Sequence, residues 1–179
     1  MAKKTILILG GARSGKSHFA QELAKKLGDK VLFVATGEAL DEEMQARISE
    51  HKKARPKNWR TLEIPTGIGK GIEQQIGDAE VVIIDCLTLL VSNLLRGEPD
   101  YPEAEKRVTT EIDELLACMD KLYASFIIVS NEVGMGLVPE TKLGRIYRDL
   151  LGKANQLMAQ HISEVYLMIV GIPFKVKEQ

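Results

Sequence analysis

Residues 10–17, GGARSGKS, limit what this chain can fold into more than any other feature. They fit G-x-x-x-x-G-K-[ST], with Gly10, Gly15, Lys16 and Ser17 in the fixed positions. Glycine lets such a loop curl until several backbone N–H groups point at one anion, and a helix starting there adds the positive end of its dipole. The flanks agree with that geometry: residues 5–9 read as a buried strand and residues 17–27 have helical period. Gly10, Gly11, Ala12, Arg13, Ser14, Gly15, Lys16 and Ser17 are therefore the expected cradle for the phosphates of a nucleoside triphosphate. Lys16 would reach the β and γ phosphates, and the Ser17 hydroxyl would ligate Mg²⁺. The motif specifies phosphate binding and leaves the reaction open.

The rest of the chain repeats the same alternation. Short β-branched runs at 5–9, 31–35, 81–85, 126–130 and 165–170 carry no polar alternation, as expected of strands covered on both faces of a parallel sheet. Between them lie helical patterns. Val108, Ile112, Leu115, Leu116, Met119 and Leu122 share one apolar face, and Leu143, Ile146, Tyr147, Leu150, Leu151, Ala154, Leu157 and Met158 share another. The reading is an α/β fold in three layers, a mostly parallel sheet with helices on both faces, formed as one domain over residues 1–179. Residues 54–80 are less regular, with a short strand at 61–64, and residues 96–103 (RGEPDYPE) read as an exposed loop.

Charge narrows the classes of partner. Twenty-four Lys and Arg stand against 25 Asp and Glu, a net charge of -1, so no global positive field points to nucleic acid or an anionic membrane. No apolar run reaches the length of a membrane span. Cys86 and Cys118 are far apart and in no metal-ligand spacing, which reads as two reduced thiols in a cytoplasmic protein.

Two further places carry chemistry. The run VVIID ends in Asp85 at the carboxyl end of a strand, where a carboxylate holds Mg²⁺ directly or through water. Residues 41–60 read DEEMQARISEHKKARPKNWR, a helix with acidic residues in its first turn and Lys52 and Lys53 near its end. Leu40, Met44, Ile48 and His51 fall on one face of it, so His51 ends an apolar stripe and by itself reads as a packed core residue. Its neighbours give a second reading. Lys52, Lys53, Arg55, Lys57 and Arg60 crowd the segment that follows, and a neutral imidazole beside a polyphosphate is a competent nucleophile toward phosphorus. His18 reads as a helix-surface residue and His161 as structural. Asn131 and Glu132 fall at the carboxyl end of the fourth long strand, the ligand-binding edge of open α/β sheets.

Taken together, GGARSGKS, ARISEHKKARPKNWRT, VVIIDCLT with VSNLL after it, and SNEVGMGLVPE resemble the bifunctional adenosylcobinamide kinase and adenosylcobinamide-phosphate guanylyltransferase family of cobalamin assembly, over about residues 5–176. The resemblance implies a RecA-like branch of the P-loop folds and a homotrimer. It implies two reactions. A nucleoside triphosphate, ATP or GTP, phosphorylates the aminopropanol hydroxyl of adenosylcobinamide. GTP then gives GMP to that phosphate through a guanylylated histidine, which would be His51. The nucleotide contacts it implies are the cradle of residues 10–17, Ala35, Thr36 and Gly37 after the second strand, Lys52, Lys53, Ala54 and Arg55, and Glu63 and Asp85. Glu63 would accept the N1–H and exocyclic amine of guanine, while its local sequence alone equally allows a surface carboxylate at a strand end. A small-molecule kinase without guanylylation and a nucleotide-dependent switch are the alternatives that the P-loop by itself allows.

Overall fold

The computed structural model describes residues 3–38 and 42–178. Seven strands form one sheet: β1 (Thr5–Gly10), β2 (Val31–Ala35), β3 (Arg60–Glu63), β4 (Val81–Asp85), β5 (Ser125–Val129), β6 (Glu164–Ile169) and β7 (Ile172–Glu178). Among the described residues six helices connect them: α1 (Lys16–Leu27), α2 (Glu42–Ala54), α3 (Ile68–Gln75), α4 (Leu87–Leu94), α5 (Tyr101–Lys121) and α6 (Lys142–His161). The strand order is β3-β2-β4-β5-β1-β6-β7, parallel except for β7, which runs antiparallel to β6.

The sheet is covered on both faces, as the unbroken apolar runs required. Alternate residues of each strand point to opposite faces. Ile6, Ile8, Phe33, Ile83 and Ile127 pack on one side with Ala20 and Ala24 of α1. Leu7, Leu32, Val34, Val82, Ile84 and Ile128 pack on the other with α3, α4, α5 and α6. The expected α/β class, the three layers and the mostly parallel sheet are the observed ones.

Three elements have no counterpart in the pattern reading: α3, α4 and β7. The sequence IGKGIEQQ of α3 is short and holds two glycines, which lowers its helix propensity. Packing overrides that cost. Gly69 lets α3 lie directly on α5, since a Cβ there would stand 2.8 Å from the Glu114 carbonyl oxygen. The α3 N-terminus is capped from outside its own segment, by the buried Glu111 carboxylate of α5, which accepts the N–H groups of Gly67 (3.0 Å) and Ile68 (2.8 Å). The α4 sequence LTLLVSNL is mostly apolar and too short for its period to register. The segment read as an exposed loop at 96–103 runs into the first turn of α5, which starts at Tyr101. Asp100 caps α5 by accepting the Glu103 N–H at 3.0 Å, and Pro102 sits in the first turn, where a missing N–H costs nothing.

Candidate active site

The carboxyl ends of the parallel strands set out the site in spatial order. Moving outward from β1, the sheet presents the 10–17 loop, then Ser130 and Asn131 after β5, Asp85 at the end of β4, Ala35 to Gly37 after β2, and Glu63 at the end of β3. Four strand steps of about 4.8 Å separate the loop from Glu63 by roughly 19 Å, the scale of an extended nucleoside triphosphate. A cavity of about 440 Å³ opens along this edge.

At one end lies the phosphate cradle. Gly15 adopts φ +93 where the loop enters α1, a conformation open to glycine at little cost. The carbonyls of the loop are taken up by its surroundings. Gly10 accepts the Glu132 N–H at 3.1 Å, Ser14 accepts the Gly171 N–H at 3.1 Å from the β6–β7 turn, and Gly11 accepts the Lys16 ammonium at 2.6 Å. Among the described residues no acceptor takes the N–H groups of Ala12 to Lys16, the donors an anion needs. Lys16 is buried, which pushes its pKa down, against the pull of nearby Cys86 and Asp85. Ala12, Arg13, Ser14, Gly15, Lys16 and Ser17 all line the cavity, while Gly10 and Gly11 shape the loop behind it.

Asp85 faces this cradle across the cavity, and its Oδ2 is buried without a hydrogen-bond partner. An unpartnered acceptor lining the same cavity as Ser17 fits Mg²⁺ on a nucleotide, since that ion takes one or two protein oxygens and draws the rest from phosphates and water. No cluster of three or more His, Cys, Asp or Glu that could hold a metal occurs among the described residues.

Arg55 enters the same cavity from just beyond the end of α2. Its guanidinium lies over the Phe33 ring, 3.7 Å from the centroid, with Nε and Nη1 buried and unpartnered. Burial lowers its pKa, while Asp85 and then Glu63 act to raise it. A stacked guanidinium with two free donors in a desolvated site is a strong phosphate ligand. Ile48, from the apolar stripe of α2, also lines the cavity and packs near Gly37 and Leu89. His51 and Ala54 stand in α2, but their side chains lie outside the described residues, as do those of Met44 and the whole of Leu40 and Asp41.

The remaining expected contacts divide. Ala35 and Gly37 line the cavity. Thr36 does not: it is fully buried, and its hydroxyl donates to the Cys86 carbonyl (2.7 Å) and accepts the Cys86 N–H (2.9 Å). Lys52 and Glu63 form an ion pair with each other at the outer rim, and Lys53 is exposed there. Asn131 lines the cavity, its N–H bonded to Thr88 Oγ1 at 2.7 Å and its carbonyl to Asn155 Nδ2 at 3.1 Å. Glu132 folds its own loop by accepting the N–H groups of Gly134 (2.7 Å) and Met135 (3.1 Å). His161 pairs with Asp120 at 2.9 Å, in keeping with a structural role. Pattern reading missed Thr88 and Leu89, because α4 gave no signal, and it set aside His18, which lines the cavity one residue after Ser17.

A P-loop at the carboxyl edge of this sheet, with a strand-end aspartate opposite it, defines a nucleotide-binding protein of the RecA-like α/β class. The fold is shared with the RadB recombinase, with a TM-score of 0.54 over 92% of this chain and 73% of that one, at 13% identity. The model of the cobinamide kinase / cobinamide phosphate guanyltransferase family matches residues 6–176, and the chain belongs to that family. It is 42% identical over 182 residues to the bifunctional adenosylcobalamin biosynthesis protein CobU of Escherichia coli (strain K12), covering 96% of this chain and 99% of that protein. It is 41% identical to the bifunctional adenosylcobalamin biosynthesis protein CobP of Pseudomonas aeruginosa, covering 96% of each. The resemblance carried by the four sequence segments is thus borne out along nearly the whole chain.

Proposed function

We propose that this chain, as one domain in the cytoplasm, performs both reactions of its family in adenosylcobalamin biosynthesis, with one cavity serving both and His51 as covalent nucleophile. In the first reaction the aminopropanol hydroxyl of adenosylcobinamide attacks the γ phosphorus of ATP or GTP, and the nucleoside diphosphate leaves. In the second, an imidazole nitrogen of His51 attacks the α phosphorus of GTP. The bond to the bridging oxygen breaks, pyrophosphate leaves, and a phosphoramidate holds GMP. A phosphate oxygen of adenosylcobinamide phosphate then displaces the histidine, giving adenosylcobinamide-GDP. The covalent step splits one displacement into two easier ones.

The observation that carries this reading is the Arg55 guanidinium, stacked on Phe33 and opening with two unpartnered nitrogens onto the cavity that Lys16 and Asp85 line. It joins the basic end of α2 to the phosphate cradle. In sequence His51 lies three residues after Ile48 and four before Arg55, both of which line the cavity, and that nearness along the chain supports the reading. Lys16 and Arg55 stabilise charge developing on the phosphates, and Ser17 and Asp85 hold Mg²⁺, which when bound neutralises phosphate oxygens. Glu63, at the far end of the strand series, reads guanine. Exposed Ile172, Phe174 and Val176 alternate along the edge strand β7, and together with Val170 they supply an apolar face suited to the homotrimer that the resemblance implies.

Intact-protein mass spectrometry after incubation with GTP and Mg²⁺ tests the nucleophile. An acid-labile gain of one GMP on the native chain and none on His51→Ala is the expected result. A gain that survives the substitution would move the nucleophile elsewhere. No gain in a sample shown to bind GTP would leave a kinase without nucleotidyl transfer.

A further inference from the structure

Beside the β2 and β3 end of the cavity a single amide joins two loops that are remote in sequence. Asn93 lies in the last turn of α4, and its Nδ2 donates to the carbonyls of Thr36 (2.8 Å) and Pro65 (3.0 Å). Its Oδ1 accepts from Arg96 Nη2 at 3.0 Å, and Arg96 also pairs with Glu38. Chemistry fixes the orientation of the amide, because two carbonyls can be met only by the NH₂ group and a guanidinium only by the oxygen. Thr36 follows β2, and Pro65 follows Glu63 by two residues. The two strands are in register through Ala35 and Glu63, and the Ile64 N–H to Ala35 carbonyl bond (3.0 Å) makes one more rung. Past that rung Asn93 carries the linkage.

The same helix is tied to Thr36 at its other end. Cys86, the residue before α4, exchanges both peptide groups with the Thr36 hydroxyl. A short rigid helix therefore meets Thr36 through the side chain at its start and through the carbonyl near its finish, and from there reaches across to the β3 loop.

We infer that Asn93 is a specificity-positioning residue: by bridging Thr36 and Pro65 it sets the place of Glu63 relative to the 35–37 loop and so governs the selection of guanine. The inference rests on the reading of Glu63 as the group that accepts the guanine N1–H and exocyclic amine. Two hydrogen bonds to one base edge require the carboxylate to be held within a few tenths of an ångström. Glu63 has a largely exposed side chain at the end of a four-residue strand, and its ion pair with the also exposed Lys52 restrains it weakly. The bridge beyond it supplies the rest.

The test compares GDP with IDP, which lacks only the exocyclic amine and, like GDP, cannot donate GMP with loss of pyrophosphate. Equilibrium titrations give the ratio of the two affinities. In Asn93→Asp, a carboxylate would face two carbonyl oxygens with no proton to offer. The expected result is a fall of about tenfold in the GDP-to-IDP ratio, the scale of losing an aligned hydrogen bond to the base. Asn93→Ser retains one donor and is expected to lose less; it decides the matter if the aspartate variant does not fold cooperatively. A ratio unchanged in a folded variant, with both nucleotides weakened alike, would reduce Asn93 to a structural role and overturn the inference. Glu63→Gln is titrated in parallel. If it lowers the ratio and the Asn93 variants do not, the bridge fails and the base reader stands. If the Asn93 variants lower it and Glu63→Gln does not, the base reader fails, and Asn93 acts through the 35–37 loop. A native ratio near one would sink both.

Discussion

At the phosphate end of the cavity, one contiguous run of residues supplies loop, cation and hydroxyl, and the strand and helix that aim them are its immediate neighbours. At the base end the same task is spread over four segments. Thr36 pins Cys86, Asn93 bridges Thr36 to Pro65, and Glu111 reaches from α5 to cap α3 directly after the β3 loop. On the proposed reading, backbone N–H groups bind the phosphates at one end, and side-chain hydrogen bonds between segments do the positioning at the other. The contrast has consequences for mutation. Damage to the phosphate end should abolish chemistry with little effect on folding, whereas damage to the base end should reach the site through stability and geometry.

Lys16→Ala probes the first half of that statement and should give the largest effect. Loss of a preorganised cation on the β and γ phosphates is expected to lower both phosphoryl and GMP transfer by about 10³-fold. Stability should hold, because the residue removed is a desolvated lysine whose charged form is already disfavoured by burial. Transfer assays for both reactions and a thermal melt check it. A variant that loses one activity and keeps the other would show that the two reactions do not share the cradle, and the comparison between two ends of one cavity would break.

Glu111→Ala probes the second half. The buried carboxylate holds two N–H groups at the start of α3, and truncating it leaves both unsatisfied. The expected cost is about 2–3 kcal/mol in urea unfolding, with a smaller loss for Glu111→Gln, which keeps one acceptor. Unchanged stability would mean that water replaces the carboxylate freely, and that the base end is less dependent on remote side chains than its geometry suggests.

How much of this was legible in the sequence follows the same division. The strands and the cradle carry their signal locally: a double-covered strand is an unbroken apolar run, and a P-loop is a fixed spacing. Asp85 was legible because it ends such a run. Thr36 shows the limit. The family resemblance implied a nucleotide contact there; the buried hydroxyl's two bonds to the Cys86 peptide, which tie β2 to α4, had no sequence signal. Asn93 and Glu111 gave no signal, since a hydrogen bond between residues 28 to 57 positions apart leaves no period in either segment. The helix α3 was illegible for a related reason: its stability comes from α5, and its own glycines argue against it.

Cys86 lies where the two ends meet, next to Asp85 and lining the cavity, and it yields the smallest and sharpest test of the layout. Burial, reinforced by the Asp85 charge, pushes its thiol up to about 11. The reactive species is the thiolate, so a raised pKa means less of it at any given pH: at pH 8 about one part in 10³. Alkylation by iodoacetamide should therefore be slow near neutrality and accelerate about tenfold per pH unit toward pH 10. Cys118, also raised to about 11 and fully packed in the core, should react only through unfolding, and Cys118→Ser removes its contribution. Mg²⁺ with GDP should slow the labelling of Cys86 further, because the nucleotide covers it. Rapid labelling at pH 7 would mean that the thiol sees a cation more strongly than it sees Asp85. That result would place Lys16 or Arg55 closer to the β4 end than the carboxylate, and would move the division between phosphate end and base end by one strand.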